Sequence, residues 1–138
     1  MKNVAFVAPF LLPTTVQFLT AAARLPGVRM GIVSHDNPSR LPAHLKRDLV
    51  SWGKMGPGMD ARAILTGAEE VMRDLGPLDC MLGMLEQLQT PIAEVREALE
   101  LDGLHLEQAK NFRDKARMKT VLREAGLPCA RHRIVSSV

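Results

Sequence analysis

Lys115 and Lys119 stand four positions apart in "RDKARMKTVLREAGLP" (113–128), so on a helix they share one side. A lysine stem lying along apolar surface delivers its ammonium group to a fixed place, which is what a phosphate site requires. Glu86 and Gln87, in "GMLEQLQTP" (83–91), form a second candidate pair, because they fall just past the end of an expected strand. A carboxylate there either accepts a hydrogen bond from a substrate or caps the following helix, and the residues alone leave both open.

Other chemistries find less support. A dinucleotide site needs glycines after the first strand so that backbone can approach a pyrophosphate, but that loop reads "APFLLPTT" (8–15). Without those glycines Asp36 reads as a turn residue, not a ribose-binding acid. No GxxxxGK[ST] run occurs, Ser34, Ser39 and Ser51 lack a G-x-S-x-G context, and His35 and His44 match no metal-ligand spacing and read as loop histidines. Cys80 and Cys129 are the two cysteines; with no CxxC partner, each reads as a buried reduced thiol.

Charge is unevenly distributed. Residues 69–107 carry ten acids against two basic residues, whereas residues 110–133 carry eight basic residues against Asp114 and Glu124. Such a block can meet phosphate, an acidic partner or nucleic acid, or can simply be a solvated helix face. With one Trp, four Phe and no Tyr, base stacking is poorly provided for, and nucleic acid is not expected. No apolar run reaches the roughly 20 residues needed to span a bilayer, and the proline-broken N-terminus does not read as a signal peptide, so a cytoplasmic protein without membrane contact is expected.

The elements that must position these residues follow from hydrophobic periodicity. "NVAFVAP" (3–9) predicts a buried strand, "TTVQFLTAAARLPG" (14–27) a helix, and "VRMGIVSHD" (28–36) a second strand. Strand, helix and strand in that order favour a parallel, right-handed crossover. Residues 37–60 are broken by proline and glycine, with a short helix expected around 42–50 and a loop or short strand near Trp52. A helix over 61–76 presents Ile64, Leu65, Ala68, Val71, Met72 and Leu75 on one face, and "LDCMLGML" (78–85) is the next strand. The following helix is expected to start with Thr90 as N-cap and Pro91 at the first position, with Ile92, Val95 and Leu99 as its apolar stripe.

The last helix is expected over 111–125, capped by Asn111 and ended by Gly126 before Pro128. Met118, Val121, Leu122 and Ala125 recur at helical spacing as its buried stripe, Arg113, Arg117 and Arg123 are expected to face solvent, and a further strand should begin beyond Pro128. Alternating strands and helices give the fold class: α/β, a three-layer Rossmann-like parallel sheet of four or five strands. Ligands of such sheets bind beyond the carboxyl ends of the strands, here after residues 9, 35, 85 and 135.

The run "RDKARMKTVLREAGLPCARHRIV" (113–135) resembles the D-K-x-x-x-K…A-G-[LIV]-P passage at which ATP-grasp enzymes leave their N-terminal α/β domain for the ATP-binding lobes. Biotin carboxylase and D-alanine:D-alanine ligase are similar here, and "LDCMLGMLEQLQTPIAEVREALELDGL" (78–104) is similar to the strand, glutamate-bearing loop and helix that precede the passage. On this resemblance residues 1–126 are a pre-ATP-grasp domain, and 127–138 begin the connection into an ATP-grasp domain that this chain lacks.

The resemblance further implies that Lys115 binds ATP, with Lys119 a weaker candidate, and that Glu86 and, more weakly, Gln87 lie near the substrate. The implied reaction is ATP-dependent ligation of a small carboxylate and an amine through an acyl phosphate. ATP and Mg²⁺ serve the whole enzyme, with neither expected on this domain alone. Its partners would be the ATP-grasp lobes and a possible second copy. The alternative is a self-standing α/β binding module whose basic helix 111–125 contacts an acidic protein.

Overall fold

The structure is a computed structural model that describes residues 1–135. Four strands, β1 (Lys2–Val7), β2 (Val28–Ser34), β3 (Ser51–Lys54) and β4 (Cys80–Gly83), form one sheet in the order β3-β2-β1-β4. Every pairing is parallel, with Val4 opposite Met30 on one side and opposite Cys80 on the other. The expected α/β fold with a four-stranded parallel sheet is therefore what forms.

The central strand β1 is buried on both faces, as its unbroken Val-Ala-Phe-Val run dictates. Val4, Phe6 and Ala8 pack with Leu19 of α1 (Pro13–Ala23) and Leu45 of α2 (Ala43–Asp48). Ala5 and Val7 point the other way, toward Ile64 and Val71 of α3 (Ala61–Leu75) and Ile92 and Val95 of α4 (Gln89–Ala98). Each such fully buried aliphatic side chain contributes about 1.5–3 kcal/mol, so the alternation fixes which helices lie on which face.

Helix α3 starts where Asp60 accepts the Ala63 N–H at 2.8 Å, and it ends at Gly76, whose φ of 86° few other residues adopt. It lies hard against β3: a Cβ on Gly53 would stand 1.9 Å from the Gly67 carbonyl oxygen. The chain steps from β1 out to β3, then α3 carries it back beneath the sheet to add β4 on the far side of β1. The winding direction thus reverses between β1 and β4.

Several local expectations are corrected. Helix α4 begins at Gln89 because a 3₁₀ turn, Glu86–Leu88, runs directly into it; Thr90 makes no capping bond, and Pro91 sits inside the first turn, where its missing N–H is harmless. In place of one helix over 111–125 there are two, α5 (Leu106–Arg113) and α6 (Lys115–Glu124). Asp114 makes the break, adopting extended backbone and accepting the Ala116 and Arg117 N–H groups on Oδ1 at 2.9 and 3.1 Å. Asn111 accordingly lies inside α5 and caps nothing.

The stripe expected to bury α6 does not do so. None of its residues is buried; Val121 is 41% exposed, Met118 and Leu122 are half-buried, and Ala125 is exposed. Its end is as expected, with Gly126 at φ 72° and the Leu127 N–H donating to the Leu122 carbonyl at 2.9 Å. Residues 127–135 form no strand, since neither β3 nor β4, the two sheet edges, pairs with them. The loop expected beyond residue 135 lies outside the described residues. Cys80 and Cys129 are free thiols but half-buried, not buried. Among the described residues no helix is long and apolar enough to cross a membrane.

Candidate functional site

The carboxyl ends of the strands present four loops on one edge of the sheet. The first is held down by the second: Asp36 accepts the Leu11 N–H on Oδ2 at 2.8 Å and pairs through Oδ1 with Arg40 at 2.7 Å. The His35 N–H donates to the Pro9 carbonyl at 3.1 Å, and its ring Nε2–H donates to the Gly58 carbonyl at 2.8 Å. The Phe10 ring lies 6.0 Å from that imidazole. Asp36 and His35 thus splice the loops after β1, β2 and β3, a positioning task beyond that of a simple turn residue. His44 is not on a loop; it lies on α2, with Nε2 3.2 Å from Thr20 Oγ1 of α1. Ser34 and Ser51 are spent on Pro9 and Asp74, and no group of three metal-ligating side chains occurs among the described residues.

The loop after β4 carries the charged cluster. Glu86 Oε1 stands 3.3 Å from Lys115 Nζ and 3.7 Å from Arg113 Nη1, so the two strongest sequence candidates meet although 29 positions separate them. The break at Asp114 permits this, because it turns Lys115 onto the first turn of a new helix while Arg113 ends the old one. Glu86 stands in the first turn of the 3₁₀ segment, and its carboxylate is directed at the two cations. Both partners are largely exposed, at 59% and 70%, so the pair is worth about 0–1 kcal/mol and opens readily.

The remaining candidates fall elsewhere. Gln87 is exposed in the same 3₁₀ turn and makes no side-chain hydrogen bond among the described residues. Lys119, one turn along α6, does not join the Glu86 cluster and pairs with no acid among the described residues. Arg117, expected in solvent, instead donates to Asn111 Oδ1 at 2.6 Å and Glu107 Oε2 at 2.7 Å, riveting α6 to α5. Hydrogen bonds from Lys110 first and Arg117 next hold the Glu107 carboxyl down at about 2. Arg113 is exposed, as expected, and no spacing rule connects it to Glu86, because the contact depends on how α5 packs across α4.

The surface hollows lie away from this cluster. One of about 410 Å³ opens beside β3 among Leu41, Lys46, Val50 and Trp52, and another of about 250 Å³ is lined by Arg123, Cys129, Arg131 and His132. The Glu86–Lys115 cluster sits on an open edge instead, beside the point where the winding reverses.

Fold and cluster together define a doubly wound parallel α/β domain with a cation pair at its switch point, the place where open sheets of this kind bind ligands. No family model matches the chain, and a search of curated proteins finds no match. Among solved structures the chain is similar to an L-amino acid ligase from Bacillus licheniformis, with a TM-score of 0.63 and 21% sequence identity. The match covers 93% of this chain and 31% of the ligase, so the shared unit is a domain-sized part of that enzyme. At this identity the likeness is one of fold.

Proposed function

We propose that this chain is the N-terminal substrate-cleft domain of an ATP-dependent carboxylate–amine ligase of ATP-grasp type. Lys115 forms the phosphate edge of the nucleotide site and Glu86 lies at the substrate end. The observation that carries the reading is the meeting of Glu86 and Lys115, at 3.3 Å, on the ligand-binding edge of the sheet. Two further supports are the D-K…A-G-L-P run and the fold likeness to an L-amino acid ligase.

In this reading ATP phosphorylates a carboxylate oxygen, and an amine then displaces phosphate from the acyl phosphate. The side chains at hand suit a part of that task. Lys115 and Arg113 offer two cations with no covalent nucleophile between them, which fits orientation and charge neutralisation of phosphate oxygens. Glu86 keeps the ammonium of Lys115 in place until a phosphate takes it over, at small cost because the pair is exposed. ATP supplies the leaving group for carboxylate activation. Mg²⁺ bound with ATP is held by phosphate oxygens and one or two carboxylates, and this reading assigns those carboxylates to the ATP-grasp lobes. Those lobes, the small carboxylate and the amine are the partners of the reading.

The test is the native polypeptide. It should exceed 138 residues by roughly two lobes, and once purified it should release ADP only when a carboxylate and an amine are both supplied. A native polypeptide ending at Val138 that releases no ADP would refute the ligase reading and favour a binding module for an acidic partner.

A further inference from the structure

A second cluster of charge lies at the other end of α6. Lys115 and Arg123 are eight positions apart, which is about 12 Å along a helix axis, so this cluster is separate from the Glu86 pair. Arg123, Cys129, Arg131 and His132 line a hollow of about 250 Å³. The strand-less segment after Gly126 folds back over the helix to make it, and the Cys129 thiol reaches the Lys119 carbonyl at 3.6 Å. Among the described residues no carboxylate lines this hollow, and Lys119, Arg123 and Arg131 join none of the ion pairs found elsewhere on the molecule. Three cations stand beside this cavity with no counter-charge among the described residues.

The hydrogen bonding gives the arrangement a direction. Arg123 Nη2 contacts His132 Nδ1, and a guanidinium has no acceptor, so Nδ1 must accept and the ring proton sits on Nε2. His132 therefore keeps one N–H to donate and stays neutral against its basic neighbours. Its pKa lies below the ordinary histidine value, through desolvation first and then the charges of Arg123 and Lys119. An anion in the hollow would reverse both charge effects at once.

We propose that the hollow between the C-terminal end of α6 and residues 129–132 is a binding site for a phosphate group, held by Arg123, Arg131 and the His132 ring. A phosphate presents three or more acceptor oxygens to two guanidinium forks and an imidazole N–H together, whereas a carboxylate presents two oxygens in one plane and carries less charge. The proposal stands on this chain alone and does not depend on the ligase reading.

The experiment follows the His132 ring by NMR during a pH titration of the 138-residue chain at constant ionic strength. Sodium phosphate, ATP without magnesium, a short glutamate peptide and sodium chloride are compared. Phosphate or ATP should raise the His132 pKa by about half a unit or more, saturating at millimolar concentration, and should shift the Arg123 side-chain resonances in parallel. Whichever of the two saturates lower names the source, free phosphate or nucleotide. In Arg131→Gln the rise should fall at least by half. A rise with chloride equal to that with phosphate, or a larger one with the glutamate peptide, would overturn the proposal. The wild-type comparison decides the matter even where the variant does not fold.

Discussion

Asp114→Ala should loosen α6 without melting the domain. Asp114 makes two hydrogen bonds to the first turn of α6, at 2.9 and 3.1 Å, and it places a negative charge at that helix N-terminus. Losing such a cap costs about 0.5–2 kcal/mol, and the charge adds about 0.3–1 kcal/mol at low salt. A local loss of roughly 1.4 kcal/mol speeds exchange of amides that open with the helix about tenfold. Because α6 buries none of its residues, this loss should stay local. Hydrogen exchange should therefore accelerate by roughly four- to a hundredfold at residues 118–124, while the melting temperature of the sheet core moves by less than about 2 °C. Asp114→Asn keeps a good capping oxygen and should recover most of the protection. Unchanged exchange in Asp114→Ala would refute the break at Asp114, and a core melting several degrees lower would refute the peripheral place of α6.

Gly53→Ala should destabilise by about 1–3 kcal/mol or more, because its Cβ would meet the Gly67 carbonyl oxygen at 1.9 Å; thermal melting checks this. Thr15→Val should leave stability equal or raise it by up to about 1 kcal/mol, since the buried Thr15 hydroxyl has no hydrogen-bond partner among the described residues, and a fall of more than 1 kcal/mol in a denaturant titration would contradict that. Glu107 should titrate near 2, well below the ordinary carboxylate value. A depressed carboxylate favours the folded contact above its unfolded pKa and loses that contribution as pH falls through the folded one, so the Arg117–Glu107 link should persist at pH 3 and open below about pH 2, read from the carboxyl carbon shift.

Most of the fold was legible because burial on both faces of a parallel sheet writes itself into short apolar runs. "NVAFV" and "VRMGIV" can hardly be anything but central strands, and the periodicity of residues 61–75 matches the face that α3 buries. What failed to show was decided by single side chains or by packing at a distance. Asp114 reads equally well inside a helix or as a cap, and its own cap bonds tip the balance toward a break. The apolar spacing of Met118, Val121 and Leu122 describes a face but not whether anything covers it, and in this chain little does. In the candidate site, Glu86 and Lys115 were each visible from type and position, yet their contact required α4, α5 and the break at Asp114 to act together. The acid partners of Arg113 and Arg117 went unseen for the same reason, since helical phase says where a side chain leaves its helix and not which acid waits on the next one.

The central claim is that Lys115, among the basic residues of this region, faces nucleotide phosphate. If the native polypeptide carrying this domain is the proposed ligase, its KM for ATP should be measured with the carboxylate saturating for Lys115→Ala, Lys119→Ala and Arg117→Ala, alongside melting curves. Losing a charge-assisted bond to phosphate costs about 1.5–3 kcal/mol, so Lys115→Ala should raise KM roughly ten- to a hundredfold, with Lys119→Ala changing it less than about fivefold. Arg117→Ala should act mainly on stability, through the lost link to Glu107. Equal effects of Lys115→Ala and Lys119→Ala on KM, or none from either, would contradict the account.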